Sequence, residues 1–395
     1  MRRVDSMSDN HYDDARRQAA AENLARRKQE LRKKKKRKQA LIRLMVLGLL
    51  VVFVLGFAIV KINKMVHSER NSKAKDAVEE SKAEEKDAII IGIKGSPVQM
   101  VLQDEPYIEN GAFAIDTEEG AIDESDIKIK GSVDTSKPGD YKIEYSVRKG
   151  WSKFEAERIV RVMTEKEYGK KAGNVPVLMY HWVYTKDDIP KELDGNWILD
   201  TDLDKQLAYL EENEFYYPGW KELRAWIDDE ISLPEKCAVL TFDDGKKEFL
   251  KYGVPLLEKH HVPATSFMIC WKDNSGAKKV KQYASPYVDF ESHSFAMHQK
   301  VDNVPGHKGI MAAMTKEEIA EDLVKAKEIV GNNDAFAYPY GDYTDDMVDA
   351  VRDQGILCSF TTEYDRVRKG ADPMKLPRIR VHGEASFDTW KNSVY

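Results

Sequence analysis

Beyond residue 174, short apolar runs and helically periodic segments take turns along the chain, and this alternation limits the fold more than any other feature of the sequence. Runs such as Cys237-Ala238-Val239-Leu240, Pro263-Ala264-Thr265-Ser266-Phe267-Met268-Ile269 and Gly355-Ile356-Leu357-Cys358-Ser359-Phe360 read as buried strands. Between such runs, Leu203, Leu207 and Leu210, then Val254, Leu256 and Leu257, then Ile319, Leu323 and Ile329 recur as helix faces do. Strand and helix in strict alternation point to an α/β fold, a parallel (β/α) barrel whose chemistry gathers at the strand C-termini.

Four of the strand ends carry reactive side chains. The first leads into Thr241-Phe242-Asp243-Asp244-Gly245, where two adjacent carboxylates repel each other unless something cationic lies between them. A divalent metal meets that need, although a lone Asp-Asp-Gly is also the composition of an ordinary solvated turn. The run Tyr287-Val288-Asp289-Phe290 is followed by His293 and His298. On a helix of 3.6 residues per turn, side chains five apart point about 140° from one another, so a shared ion requires a strand-to-loop junction or a bulged turn. Two imidazoles and one carboxylate make a three-ligand zinc-type site with a position left open for chemistry. In Phe336-Ala337-Tyr338-Pro339-Tyr340-Gly341 a strand ends in a turn that can present a backbone N–H to an oxyanion, with Tyr340 as an aromatic wall for a sugar ring. The fourth, Val175-Pro176-Val177-Leu178-Met179-Tyr180-His181, ends in a histidine.

On the motifs TFDDG (241–245), SHSFAMH (292–298) and YPYG (338–341), residues 174–395 resemble the polysaccharide deacetylases of the family 4 carbohydrate esterases. The resemblance implies an irregular seven-stranded barrel, Asp243 as general base, Asp244, His293 and His298 as metal ligands, and the Tyr340 N–H as oxyanion donor, with Pro339 and Tyr340 against the substrate. Lys246 stands where the family usually has Pro, the histidines are five rather than four apart, and the Arg usual before the Pro-Tyr-Gly turn is missing. These departures look like the circularly permuted branch, in which the histidine of the opening strand is the general acid. That role passes to His181, with His382 on the last strand as the alternative. Arg378 and Arg380 alternate on that strand, so only one of the two faces the cleft. Both are candidate cleft residues, one of them expected to orient Asp243.

The implied reaction fits the residue types. A divalent ion, expected to be zinc with cobalt, nickel or manganese as alternatives, supplies a nucleophile at neutral pH and polarises an acetyl carbonyl. A carboxylate takes the proton of the attacking water, and a histidine of pKa near 6.5 returns one to the leaving amine.

The N-terminal part is built differently. A net charge of −6 hides the basic block Arg32-Lys33-Lys34-Lys35-Lys36-Arg37-Lys38. Nucleic acid is set aside as its partner because an apolar run, Leu44 to Val60, follows directly. Extended to residues 41–62, that run is long enough for a transmembrane helix, and the positive-inside rule places 1–40 in the cytoplasm and the rest outside. Residues 63–87 read as a hydrophilic stalk. Between 88 and 164, β-type runs broken by Gly, Pro and Asp predict a small all-β sandwich, and Val133 to Tyr141 resembles bacterial immunoglobulin-like modules. That module is expected to act as a spacer. Three cysteines, Cys237, Cys270 and Cys358, are expected in strands as buried free thiols. His260-His261 is expected as an exposed helix C-cap, and His307 as a loop residue.

The sequence therefore leads to an expected membrane-anchored extracellular de-N-acetylase of a cell-wall glycan. A catalytically idle glycan-binding or scaffold protein is the alternative.

Overall fold

Alternation of buried and exposed residues makes two long strands pair at the N-terminal side of the structure. In this computed structural model, which describes residues 89–271, 275–301 and 304–395, β6 (Gly139–Lys149) and β7 (Ser152–Met163) form an antiparallel hairpin. Ile143, Tyr145 and Val147 of β6 and Val160 and Val162 of β7 are buried at period-two spacing. β2 (Val98–Leu102) and β5 (Lys128–Lys130) complete that sheet, and β1 (Ile89–Ile93), β3 (Ala112–Asp116) and β4 (Gly120–Ile122) form the second. Ile89, Val101, Ala112, Ala114 and Ile127 close the core between the sheets, as expected of a small sandwich. Residues 1–40, 41–62 and 63–87 lie outside the described residues, and among those described no helix is long and apolar enough to cross a membrane.

The C-terminal half is a curled sheet of seven parallel strands. Their order is β15 (Cys358–Phe360), β14 (Ala335–Ala337), β13 (Val288–Ser292), β12 (Ala264–Met268), β11 (Val239–Phe242), β8 (Val177–Tyr180) and β16 (Ile379–Arg380). A bridge between Phe360 and Leu376 draws the two edges toward each other, which accounts for the barrel expected from the strand–helix alternation. The short pair β9 (Trp182–Tyr184) and β10 (Trp197–Leu199) stands apart from this sheet. Leu240, Phe242, Val288 and Phe290 pack outward with Leu203, Leu207 and Leu210 of the helix Asp200–Glu212 and with Leu257 of the helix Val254–His260. The other strand faces, with Val239, Phe267, Ala337 and Phe360, meet Trp220 and Trp226 of the helix Trp220–Ile227. The helix Lys316–Val330 begins at a Thr315–Glu318 capping box and ends at left-handed Gly331.

Several local expectations change. The helix marked by Val254, Leu256 and Leu257 is not entered directly as an α-helix: Phe249–Gly253 is a π-helical turn that passes into Val254–His260. Cys237, Cys270 and Cys358 are buried and free, but only Cys358 lies in a named strand. His260 is buried rather than exposed, held by Asp204 at 2.7 Å and Glu211 at 2.8 Å, while His261 alone is the exposed left-handed cap.

The sandwich is more than a spacer. Phe113 and Ile115 of β3 belong to the same apolar cluster as Ala264 and Val288 of the barrel. Ser96 N–H donates to the Tyr217 carbonyl and its hydroxyl oxygen accepts from Tyr217 N–H, each at 2.8 Å. Asn110 is hydrogen-bonded to buried Glu222 of the helix Trp220–Ile227. Lys94, 3% exposed, reaches Asp334 at 2.6 Å, just ahead of β14, and Glu124 at 2.8 Å. Burial alone would lower the Lys94 pKa, but Asp334, Asp289, Glu291 and Glu124 together hold it well above the usual lysine range.

Candidate active site

Asp243 and Asp244 leave β11 in different directions because the chain turns left-handed at Asp244 (φ 72°) and Gly245 (φ 55°). A positive φ at a non-glycine residue is strained, and such residues cluster at functional sites. Ser294 (φ 83°) and Tyr340 (φ 63°) share the conformation. Of the seven non-glycine residues with positive φ among those described, these three are in the motifs singled out from the sequence.

Asp244, His293 and His298 converge, with one donor atom from each within 4.8 Å of the others. Asp244 Oδ1 is 3.7 Å from His293 Nε2 and 3.6 Å from His298 Nε2. Two donors each about 2.1 Å from one ion at a tetrahedral angle lie about 3.4 Å apart, so the spacing suits a transition-metal ion. The hydrogen bonding around the donors points the same way. His293 Nδ1 is 2.7 Å from the Ala337 carbonyl, which can only accept; Nδ1 therefore carries the proton and Nε2 keeps its lone pair for a metal. Trp182 Nε1–H donates to Asp244 Oδ2 at 2.8 Å and leaves Oδ1 turned toward the histidines.

The five-residue histidine spacing works because the loop doubles back. Asp322 of the helix Lys316–Val330 accepts hydrogen bonds from Phe295 N–H and Ala296 N–H at 2.6 Å each, and the Ser294 hydroxyl oxygen accepts from Met297 N–H at 3.1 Å. Met297 is fully buried as the anchor of the loop. The rings of His293 and His298 come to 4.7 Å, and Tyr340 lies over His298 at 4.3 Å.

Asp243 is buried and held by both arms of Arg378, with Nη1 to Oδ1 and Nη2 to Oδ2 at 2.7 Å each. Burial would raise its pKa, but the Arg378 guanidinium more than reverses this and holds the carboxyl well below its ordinary value. Arg378 is itself fully buried and further fixed by the Thr361 carbonyl at 3.1 Å and the Thr241 hydroxyl at 3.2 Å. It is therefore a positioning residue for Asp243 and not a substrate contact. Arg380 instead bonds Asn196, and buried Pro339 serves the turn rather than the cleft surface.

His181 follows β8 and sits close enough to Asp243 and Asp244 for both charges to raise its pKa; burial outweighs them and lowers it below the usual histidine value. His382 is exposed and packs by Gly195, on the loop before β10. Sequence reasoning missed Trp182, the neighbour of His181, and Asp322; neither carries a local signal, since each acts across a long loop in the chain. Trp197, Trp271, Lys246 and Lys279 line the cleft of about 810 Å³ over the triad and were also unforeseen.

A strand-end carboxylate and two histidines, with a buried ionised Asp beside them, define a candidate metallohydrolase centre. Residues 230–358 match the family model for polysaccharide deacetylase, and residues 91–162 that for the Ig-like domain of bacterial surface proteins. The poly-β-1,6-N-acetyl-D-glucosamine N-deacetylase of Staphylococcus epidermidis is 27% identical over 236 residues, which span 54% of this chain and 80% of that protein. Its Staphylococcus aureus counterpart is 23% identical over 210 residues, 49% of this chain and 71% of that one. Among solved structures, the Streptococcus pyogenes deacetylase PplD is similar at a TM-score of 0.48 and 19% identity, over 57% of this chain and all of that one. The chain carries a polysaccharide deacetylase domain behind an immunoglobulin-like domain, and that domain makes it a deacetylase-type enzyme. The matched segment contains Asp243, Asp244, His293, His298 and Tyr340, and leaves out His181, Arg378 and His382.

Proposed function

We propose that this chain hydrolyses the acetamide of N-acetylglucosamine-type residues in a cell-wall glycan, releasing acetate. The convergence of Asp244, His293 and His298 beside an ionised Asp243 is the observation that carries the reading. The substrate named for the staphylococcal relatives, a polymer of N-acetylglucosamine, supports the sugar.

Asp244, His293 and His298 would hold a divalent ion, zinc by the preference of a mixed imidazole and carboxylate set. When bound, such an ion supplies Lewis acidity toward the attacking water and the acetyl oxygen. Asp243 accepts the water proton. Arg378 occupies one lone pair on each of its oxygens, and each oxygen keeps another. The depressed pKa makes Asp243 reliably ionised and only weakly basic. The Tyr340 N–H, on its left-handed turn, is the assigned donor to the oxyanion, a contribution that typically amounts to about 3–4 kcal/mol. His181 returns a proton to the departing sugar amine. Burial favours its neutral form, so it takes up that proton from solvent in the open cleft before passing it to the amine.

The tether through residues 41–62 and the placement of the enzyme outside the cell belong to the same proposal and rest on the sequence pattern alone. Acetate release from an N-acetylglucosamine tetramer by the zinc-loaded chain, compared with Asp243→Asn, tests the reaction. Equal release by the two proteins, or none from either, would overturn it.

A further inference from the structure

The cleft over the triad is basic in a protein that is acidic as a whole. Overall, 68 Asp and Glu outnumber 62 Lys and Arg, yet the described cleft lining holds four lysines, Lys246, Lys247, Lys279 and Lys300, against Asp244 and Glu248. Of those two carboxylates, Asp244 is already assigned to a cation. A site built only for neutral sugar hydroxyls has no use for such an excess of ammonium groups, since aromatic faces and neutral amides serve that purpose without the desolvation cost of a charge.

The lysines are also placed, not merely present. Lys279 is half-buried on the helix Ser275–Gln282, and its Nζ donates to the Gly245 carbonyl at 2.9 Å, on the turn that follows Asp244. That bond uses one of three ammonium protons, and among the described residues it is the only one assigned. Burial lowers the Lys279 pKa, the sign of a charge held where solvation is poor. Lys246 lies 3.1 Å from the Trp182 ring centroid and 5.6 Å from that of Trp197, so cation and aromatic wall form one surface. Lys247 and Lys300 are exposed on the cleft lining.

Resting on the deacetylase reading above, we propose that the substrate is an acidic glycan: an N-acetylhexosamine whose neighbouring sugar carries a phosphate or carboxylate, read by Lys279 and Lys300 while Trp197 and Tyr340 take the ring faces. The test uses the zinc-loaded full chain and three tetramers: neutral N-acetylglucosamine, the same oligomer carrying one phosphate ester, and one in which a sugar carries a carboxylate. At low ionic strength kcat/KM is expected to be about tenfold higher on at least one acidic oligomer than on the neutral one, with the gain shrinking as salt is raised. The arm that shows the gain distinguishes phosphate from carboxylate. Lys300→Glu and Lys247→Glu, both at exposed positions, should lower that acidic-to-neutral ratio mainly through KM, and the paired Lys279→Gln should lower it further. Equal kcat/KM on all three oligomers, or a ratio untouched by the lysine changes, would overturn the acidic substrate while leaving the deacetylase reading standing. Absence of acetate from all three would overturn both. Binding of the oligomers to Asp243→Asn, read by calorimetry, gives the same comparison without turnover and should keep the order of affinities.

Discussion

The two ends of β13 treat polar groups in opposite ways. Asp289, Glu291 and, just past the strand, His293 alternate onto one face, while Val288 and Phe290 take the apolar one. At the lower end Asp289 and Glu291 are buried, Asn332 bonds Asp289, and the cation among them is Lys94, supplied by the sandwich. At the upper end the donors of His293 and His298 lie 3.7 and 3.6 Å from Asp244 Oδ1, a spacing that suits a cation from solution. A polar face inside a barrel thus meets a covalently supplied lysine and raised carboxylate pKa values at one end, and at the other a donor set that could hold an exchangeable ion. The first end is built for permanence and the second for chemistry.

The largest expected effect is at the upper end. His298→Ala should abolish stoichiometric zinc binding, read by elemental analysis, and cut acetate release by about a thousandfold or more, because the ion's whole electrostatic contribution goes with it. The unfolding free energy of the metal-free protein should barely change, within about 0.5 kcal/mol, since the side chain is partly exposed. Undiminished activity would break the comparison at its functional end.

Next comes the proton donor. His181→Gln should lower kcat by about 10²–10⁴-fold, the usual contribution of general acid–base catalysis, while His382→Gln leaves it near that of the unmodified enzyme. The reverse result would transfer the role to His382 and detach the half-buried His181 from the mouth of the barrel.

At the lower end the effect is on stability. Lys94→Met removes the cation from carboxylates that remain buried, a change that typically costs about 3–5 kcal/mol, read by urea unfolding of the whole chain. Adding Asp334→Asn should recover part of the loss. Zinc bound per folded molecule should be unchanged by Lys94→Met. Lower occupancy would show that the two ends are coupled along β13 and would dissolve the distinction drawn between them.

The legibility of the two ends in the sequence differs for a physical reason. TFDDG, the histidine pair and the Tyr340 turn are each contiguous, and their residue types are costly to bury without a cation, so the upper end could be read from composition and position alone. The seven strands were legible for a similar reason, short apolar runs having few other uses. Lys94 and Asp334 are 240 residues apart, and a single lysine in the Gly-Ile-Lys-Gly segment has the same appearance whether it faces water or a barrel floor. Arg378 lay between these cases: strand alternation showed that only one of the two arginines could reach the cleft, but not that Arg378 would be fully buried behind Asp243. Trp182 likewise acts on a residue 62 positions away, and nothing local marks it. Long-range pairs of polar groups are set by topology, and a pattern of periods two and 3.6 does not report them.

Per pH unit, the smallest effect concerns how the lower end responds to pH. Burial raises the Asp289 pKa from 3.8 to about 7, with Lys94 pulling it down and Asp334 and Glu124 pushing it up. The groups facing it, Lys94, Asp334, Glu124, Glu291 and Asn332, come from both the sandwich and the barrel. The folded state therefore retains a proton that the unfolded chain has already released, so the stabilisation is full below pH 3.8 and is lost as pH rises toward about 7. One such proton can change stability by at most about 1.4 kcal/mol per pH unit inside that window. Asp289→Asn cannot titrate, and the difference in unfolding free energy between it and the unmodified chain should grow in favour of the Asn variant from pH 4 to 7 and then level off. Groups remote from Asp289 are common to both proteins and cancel in that difference; Glu291, whose pKa Asp289 raises, does not, so the comparison is made in a Glu291→Gln background. A difference flat across the window would mean that Lys94 already keeps Asp289 ionised, making the floor a fully charged pair and not a proton-holding one.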